Sequence, residues 1–347
     1  MNLERASRFL ICSLLLCAGV SGRAQQKAGL LLSTTSASSD MQQPFHTYWI
    51  TREGASVQVV EGMRLLVPRK SVWWEIGVTE LKHVNSEAGS EAVWAAPLGA
   101  THPRTHVLPV SDDDTCPDEI NTYSVSWAGS DYVALHHAYE STCGAHPVAG
   151  EESFMARLDE MQHSEQRSLP QLKLSEVAGT EAFRAMELGL EVANSKPRED
   201  ETPIENSEKS WVVMRSRGRY RVLGTTPVDR GKGGDIYDIP FDPPKSLVGS
   251  NDLSIGWDAI LDKMPDALDA YTSPNSDMVV VVTARYLNIF DVKDRQIAAR
   301  LARVPIESSA VIAAQWAIWT EADRWNETLV PLLRAAPYKT NQQASSL

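Results

Sequence analysis

Residues 273–304 read SPNSDMVVVVTARYLNIFDVKDRQIAARLARV. Two groups of turn-forming residues, Asn275, Ser276 and Asp277, then Lys293, Asp294 and Arg295, separate runs rich in Val, Ile, Leu and aromatic side chains. Such runs are too short for a stable helix and are enriched in residues that fit a pleated surface, so they read as strands. Strands joined by tight turns are antiparallel neighbours. This part of the chain therefore reads as a propeller blade or the edge of a sandwich.

The same chemistry recurs along the chain. Residues 45–79 alternate around Glu53 and Gly54 and again around Arg69, Lys70 and Ser71, which reads as a four-stranded antiparallel meander. Residues 121–142 form a hairpin turning at Gly129 and Ser130, and ESFMARLDEM continues as a strand. KSWVVMRSRGRYRVLG is a further hairpin turning near Gly218. It echoes the first one, with Trp211 in the place of Trp49, which raises an internal repeat as one reading and shared hairpin chemistry as the other. Residues 85–120 are polar and punctuated by proline, and read mostly as loop. The period changes over residues 175–193, where Phe183, Met186, Leu190 and Val192 fall near one helical face and Ser175 can cap the start. A short helix precedes Pro265. Residues 310–320 carry signals of both kinds, and read as a strand from Val311 followed by a helix from Thr320.

The expected fold is β-rich α+β, with antiparallel sheets and hairpins, a few helices and a blade-like C-terminal part. The expected layout has a signal peptide at 1–24 and a flexible lead-in at 25–44. An N-terminal β-rich domain at 45–193 and a charged linker at 194–209 follow. A C-terminal β-rich domain at 210–335 and a disordered tail at 336–347 complete it.

The first residues, MNLERASRFLICSLLLCAGVSGRAQQ, place Arg5 and Arg8 before an apolar run at 9–20, then Gly22 and Ala24 where a signal peptidase acts. That pattern predicts export to the periplasm or beyond, with cleavage after Ala24. The run is too short to span a bilayer. A lipid anchor on Cys17 is the weaker alternative, because Leu16 stands where a small residue is required. Cleavage removes three arginines and one glutamate, a net +2, so the formal charge falls from −12 to −14. A chain this acidic lacks the basic footprint of a nucleic-acid binder.

Of the four cysteines, Cys12 and Cys17 leave with the signal, and Cys116 and Cys143 remain. An isolated pair in an oxidising compartment predicts a disulfide contributing about 3 kcal/mol. Two rivals stay open for the stretch ESTCGAHP: Cys143 as a nucleophile beside His146, or a metal site drawing on His102, His106, His136, His137 and His146. His136 and His137 are adjacent on a strand and so point to opposite faces. Asp112, Asp113 and Asp114 lie in an acidic loop without the spacing of an EF-hand.

No motif for a phosphate loop, a nucleophile elbow or a zinc protease is present, and no cofactor is expected. DRGKGGD has glycines but no Lys-Ser or Lys-Thr pair opening a helix. RSRGRYR sets Arg215, Arg217, Arg219 and Arg221 within one hairpin of an acidic chain. Arginine forks recognise carboxylate or phosphate, so a partner's acidic patch or an anionic glycan is one reading, and pairing with the chain's own carboxylates is the other. The ten tryptophans are core material or sugar-stacking platforms, and Trp73 and Trp74 must face opposite sides of their strand.

Residues 132–179 carry a further pattern: a strand, the turn Gly144, Ala145, His146, Pro147, a strand ending at Leu158 and Asp159, and Leu174 at the entry to a helix. This resembles the extracytoplasmic domain of unknown function shared by a lysozyme-sensing anti-sigma factor and some peptidoglycan deacetylases. Cys143 departs from the glycine usual there. The resemblance implies an α+β fold and a protein-binding or envelope-associated role, and carries over no catalytic residue. The functional expectation is thus a non-catalytic binding or envelope-associated module using the arginines or the GAHP turn. The alternative is a metal-dependent hydrolase of an envelope polymer using His136, His146 and Asp112, Asp113 and Asp114. A third reading, a scaffold built as a partial propeller, requires more blade-like repeats than the sequence displays.

Overall fold

Leu30, Leu31 and Leu32 are consecutive, and all three are buried. Successive side chains on a strand point to opposite faces, so the strand that carries them is covered on both sides. The computed structural model describes residues 27–35, 45–81, 90–100, 103–106, 119–142, 148–163, 169–195, 207–226, 228–229, 236–249 and 252–335. It is a five-bladed β-propeller of small antiparallel sheets with a few helices.

The blades follow one another along the chain. Blade 1 begins with β1 (Ala28–Thr35), β2 (Phe45–Glu53) and β3 (Ser56–Gly62). Blade 2 is β4 (Leu65–Arg69), β5 (Val72–Leu81), β6 (Ser90–Pro97) and β7 (Thr105–His106). Blade 3 is β8 (Glu119–Ala128), β9 (Tyr132–Ser141) and β10 (Val148–Arg157), followed by the helices α1 (Leu158–His163) and α2 (Leu174–Asn194). Blade 4 has three strands, β11 (Trp211–Ser216), β12 (Arg219–Thr225) and, after β13 (Val228–Asp229) has reached back to pair with β10, β14 (Ile236–Ile239). Two short helices, α3 (Lys245–Val248) and α4 (Trp257–Lys263), lead to blade 5: β15 (Asp269–Thr272), β16 (Met278–Val282), β17 (Tyr286–Lys293) and β18 (Gln296–Pro305). The last strand, β19 (Val311–Ile318), pairs with β1 from Ala28 opposite Ile318 to Thr34 opposite Val311, and α5 (Thr320–Arg334) packs over the result. Blade 1 is therefore built from both ends of the chain.

Several expectations change. Residues 28–35 are not part of a loose lead-in: they form a central strand, whose covered faces remove the alternation by which strands are read. The strands of residues 45–79 do not make one meander, because β3 ends blade 1 and β4 opens blade 2. Residues 85–120 include β6, a buried strand of four-stranded blade 2. The expected boundary at 194–209 is crossed by the pairing of β13 with β10 and by that of β19 with β1, so the ring joins the two stretches on either side. The signal peptide, the tail, Cys116, Cys143, His146 and Asp112, Asp113 and Asp114 lie outside the described residues.

Each blade leans on the next through an apolar layer, with one exception. Trp49 and Leu66 join blades 1 and 2 beneath Trp325 and Leu329 of α5. Val67 and Ile76 meet Leu135 and Phe154 between blades 2 and 3. Trp127 and Met155 meet Trp211 and Val213 between blades 3 and 4, together with Met186 of α2. Leu30 and Ile50 meet Val280 and Ile289 between blades 5 and 1. Burying side chains of this size contributes about 1.5–3 kcal/mol each. α2 takes the place of a fourth strand in blade 4. It approaches so closely that a Cβ on Gly189 would lie 2.3 Å from the Asp238 carbonyl oxygen.

Polar ties supplement these layers. Arg69, at the end of β4, reaches Asp131 at 3.0 Å and also Asp159 in α1. Arg64 and Glu75 form a buried two-pronged pair inside blade 2, with Nε 2.9 Å from Oε1. Between blades 1 and 5, Arg52 lies 2.8 Å from Asp291, which also meets Lys293 at 3.1 Å. Burial pushes the Asp291 carboxyl up, but Lys293 and Arg52 outweigh it and hold it below its ordinary value of 3.8. A carboxylate with a depressed folded pKa contributes stability that is complete above its unfolded pKa and is lost as pH falls through the folded value. Urea unfolding of D291N and the parent should therefore differ by a constant amount from about pH 8 down to about pH 5, and the gap should shrink below about pH 4. A gap independent of pH down to acid unfolding would show that the tie does not act through the charge of Asp291.

Candidate functional site

The arginine hairpin is shaped by its turn. Arg217 and Gly218 both have positive φ, 52° and 78°, the two-residue turn that matches the twist of antiparallel strands. At Gly218 the requirement is double, because a Cβ there would lie 2.0 Å from Leu253. The turn sets the register, with Arg215 opposite Tyr220 and Met214 opposite Arg221. Directly opposed residues share a face. Arg215 therefore goes inward with Tyr220, while Arg219, Arg221 and Met214 go outward.

The structure thus separates residues that are contiguous in sequence. The Arg215 side chain is only 6% exposed and sits between the rings of Tyr220, at 4.7 Å, and Tyr271, at 4.2 Å. Its Nε lies 3.1 Å from Asp269, and its Nη2 donates to the Ala270 carbonyl at 2.6 Å. Asp269 is held in turn by the N–H groups of Gly218 and Ala270. Burial acts against the Arg215 charge, but Tyr271, Asp269 and Tyr220 together raise its pKa. Burial pushes the phenols of Tyr220 and Tyr271 up, so both stay neutral. Arg221 pairs with Asp238 at the surface. Among the described residues, Arg217 and Arg219 have no ion-pair partner and stand exposed on the same hairpin.

Arg215, Tyr220, Tyr271, Asp252 and Trp316 line a cavity of about 20 Å³. Blades 4 and 1 are not neighbours in the ring, so their meeting here places the cavity near the axis. Ser130 of blade 3 likewise reaches across to Gln315 of β19 at 3.2 Å. The cavity has room for one water and none for a sugar or a phosphate ester. Arg215 is therefore a structural cation of the centre rather than an anchor for a ligand.

His136 lies on β9 and is 38% exposed. Its Nδ1 is 3.1 Å from the Ser153 hydroxyl of its cross-strand partner, and its Nε2 is 3.6 Å from Glu151. The first distance is a hydrogen bond and the second is not. Ser153 and Glu151 thus lie at opposite nitrogens of the ring, and only the hydroxyl is hydrogen-bonded to it. His136 shares its face of the sheet with Ala134 and Met155, which pack against blade 4. His137 points the other way, as alternation requires, and is buried between Asn121 at 2.7 Å and Glu152 at 3.3 Å, stacked on Tyr123. His106 is buried against the Met161 carbonyl. Among the described residues, no group of three or more His, Cys, Asp or Glu side chains is placed to hold a metal ion.

Reading the sequence missed Asp269 and Tyr271, which lie some fifty positions from Arg215 and carry no local signal. The chain matches no protein-family model and no curated protein sequence.

Removing one partner of a buried pair leaves the other charge uncompensated, at a cost of about 3–5 kcal/mol. R215M should lose that much in urea unfolding, whereas R217M and R219M should stay within about 0.5 kcal/mol of the parent. An R215M protein as stable as its parent would show that the centre does not depend on the cation.

Proposed function

We propose that this protein is a non-catalytic binding module of the cell envelope or the medium, which docks an anionic partner on the exposed arginine hairpin of blade 4. The observation that carries this reading is the division of the arginine tract. One cation is buried in the centre, and Arg217, Arg219 and Arg221 are displayed on a rigid turn with Met214 exposed beside them. The formal charge of −12 repels anions at long range. Recognition would then come from short-range forks on carboxylate or phosphate and weaken with salt. The signal-like start supports export, and the resemblance over residues 132–179 supports an envelope role. Among the described residues, no helix is long and apolar enough to cross a membrane.

Exported protein should begin at Gln25 and be retained on immobilised dextran sulfate. R217S/R219S/R221S should elute at clearly lower salt from the same column. Equal elution of the two proteins would remove the hairpin as the docking surface.

The hydrogen bond of Ser153 to His136, with Glu151 3.6 Å from the other ring nitrogen, favours a second reading, hydrolysis of an envelope polymer. On that reading His136, His146 and Asp112, Asp113 and Asp114 are the candidate metal ligands or acid-base groups, the last four lying outside the described residues. A fluorophosphonate probe that labels the parent but not S153A would favour it, and no labelling of the parent would count against a serine nucleophile.

A further inference from the structure

We propose that the outer strand of blade 5, β18, is an open docking edge to which an acidic segment of a partner protein adds as a further strand. An unpaired strand edge is a template for another chain, and folded proteins shorten such edges or cover them. The other four blades do so. In blade 1, α5 packs against β3, so closely that a Cβ on Gly62 would lie 2.3 Å from the Leu333 carbonyl oxygen. In blades 2 and 3 the outermost strands, β7 and β13, have two residues each. In blade 4, α2 packs against β14, which has four residues. β18 has ten residues, and among the described residues its only backbone hydrogen bonds are those of its ladder with β17.

The charges of this edge are of one sign. β18 contains Arg300 and Arg303 and no Asp or Glu, in a chain of formal charge −12. Both arginines are exposed, as are Arg285 and Arg295 at the two ends of the strand. Among the described residues, none of these four has an ion-pair partner. By contrast, Arg52, Arg64, Arg69 and Arg157 of blades 1 to 3 are each ion-paired. A shift in the ladder concentrates the charge. Arg303 lies opposite Asn288, and Arg300, three residues away, lies opposite Phe290, only two residues from Asn288. Residues three apart on a regular strand point to opposite faces, so the shift brings both arginines to one face. Arg303 is held there over the ring of Tyr286, its Cζ 3.4 Å from the ring centre.

Edge and charge together define the occupant. A row of free N–H and C=O groups is matched by another peptide backbone, and not by a glycan or a lipid headgroup. Side chains alternate along an added strand, so carboxylates two residues apart fall on one face about 7 Å apart, in step with Arg300 and Arg303. A second copy of β18 is disfavoured as the partner, because it would set arginines against arginines. The site requires nothing from the arginine hairpin of blade 4.

The test is fluorescence anisotropy of the full chain with a short labelled peptide in which Glu alternates with Thr, and with the same peptide carrying Lys in place of Glu. The parent should bind the Glu peptide and not the Lys peptide. R300E/R303E should bind the Glu peptide about tenfold more weakly and should gain the Lys peptide, a gain that also shows the variant to be folded. Methylating alternate backbone nitrogens of the Glu peptide, along the edge that meets β18, should weaken it by about tenfold as well, because an added strand then loses its hydrogen bonds. Failure of the parent to bind the Glu peptide overturns the proposal, as does binding that survives R300E/R303E. Equal binding of the methylated peptide also overturns it, because charge alone would then hold the peptide.

Discussion

The ring exists because β1 pairs with β19. Ala28 faces Ile318 and the ladder runs to Thr34 opposite Val311, so the two ends of the folded chain lie side by side within blade 1. The entropy of closing a loop grows only with the logarithm of its length, so joining residues almost three hundred positions apart costs little more than joining nearer ones. The favourable side is concentrated in a few side chains. Leu30 and Leu32 pack toward blade 5, and Leu31 packs with Trp49 toward α5. β19 is also the strand nearest the axis: Ile312 and Ala313 meet blades 2 and 3, while Ala314 and Trp316 line the central cavity with blades 4 and 5. Of the other blades, only blade 3 borrows a distant segment, β13, while β19 touches blades 2, 3, 4 and 5 in turn. Such non-local closure is slow to form, and the ring is not complete until the chain is.

Against that apolar frame, the joint between blades 4 and 5 is distinctive. Among the described residues, no buried apolar cluster spans it, and Arg215, Asp269, Tyr220 and Tyr271 fill it. A buried ion pair adds little net stability over a hydrophobic replacement, but it fails badly when one partner is lost. Its contribution is therefore geometric. The guanidinium accepts only positions that serve Asp269, the Ala270 carbonyl and both rings at once, so it sets how blade 5 is angled against blade 4. The same demand withdraws Arg215 from the surface and leaves the outward arginines as a smaller, separate group.

Local chemistry was legible in the sequence, and assembly was not. The turns at Gly54, Lys70, Gly129, Gly218, Ser276 and Asp294 all fall between paired strands, and α2 and the strand-to-helix change at Thr320 lie where the period changes. β1 escaped because a strand buried on both faces shows no alternation, and its leucines lie among Ser and Thr that are themselves buried, as with Ser33 against Thr47. The passage from β3 to β4 over Met63 and Arg64 is as short as a hairpin, yet it leads to a new blade, because turn chemistry records a change of direction and not of sheet. The blade repeat was hidden as well. Blade 1 is divided between the termini, and blade 4 carries a helix where a strand is expected. In the arginine hairpin, alternation correctly set Arg219 and Arg221 together with Tyr220 opposite. That Arg215 joins Tyr220 inside depends on the register across the turn, and its partner Asp269 is remote in sequence.

A filled centre has consequences for where such a ring can act. Many small-molecule sites are concave and partly apolar, and the axis of a propeller is the natural place for one. Here the inner strand brings Trp316 to the axis, blade 4 brings Arg215 and Tyr220, and blade 5 brings Tyr271, leaving about 20 Å³. Widening that space would break the contacts of Arg215 with Asp269, the Ala270 carbonyl and both rings, so the centre resists opening. Exposed side chains on a fixed backbone are therefore found on the outside of the ring. The arginine turn of blade 4 and the outer strand of blade 5 are two such places, each fixed by its cross-strand register and each presenting arginines to solvent.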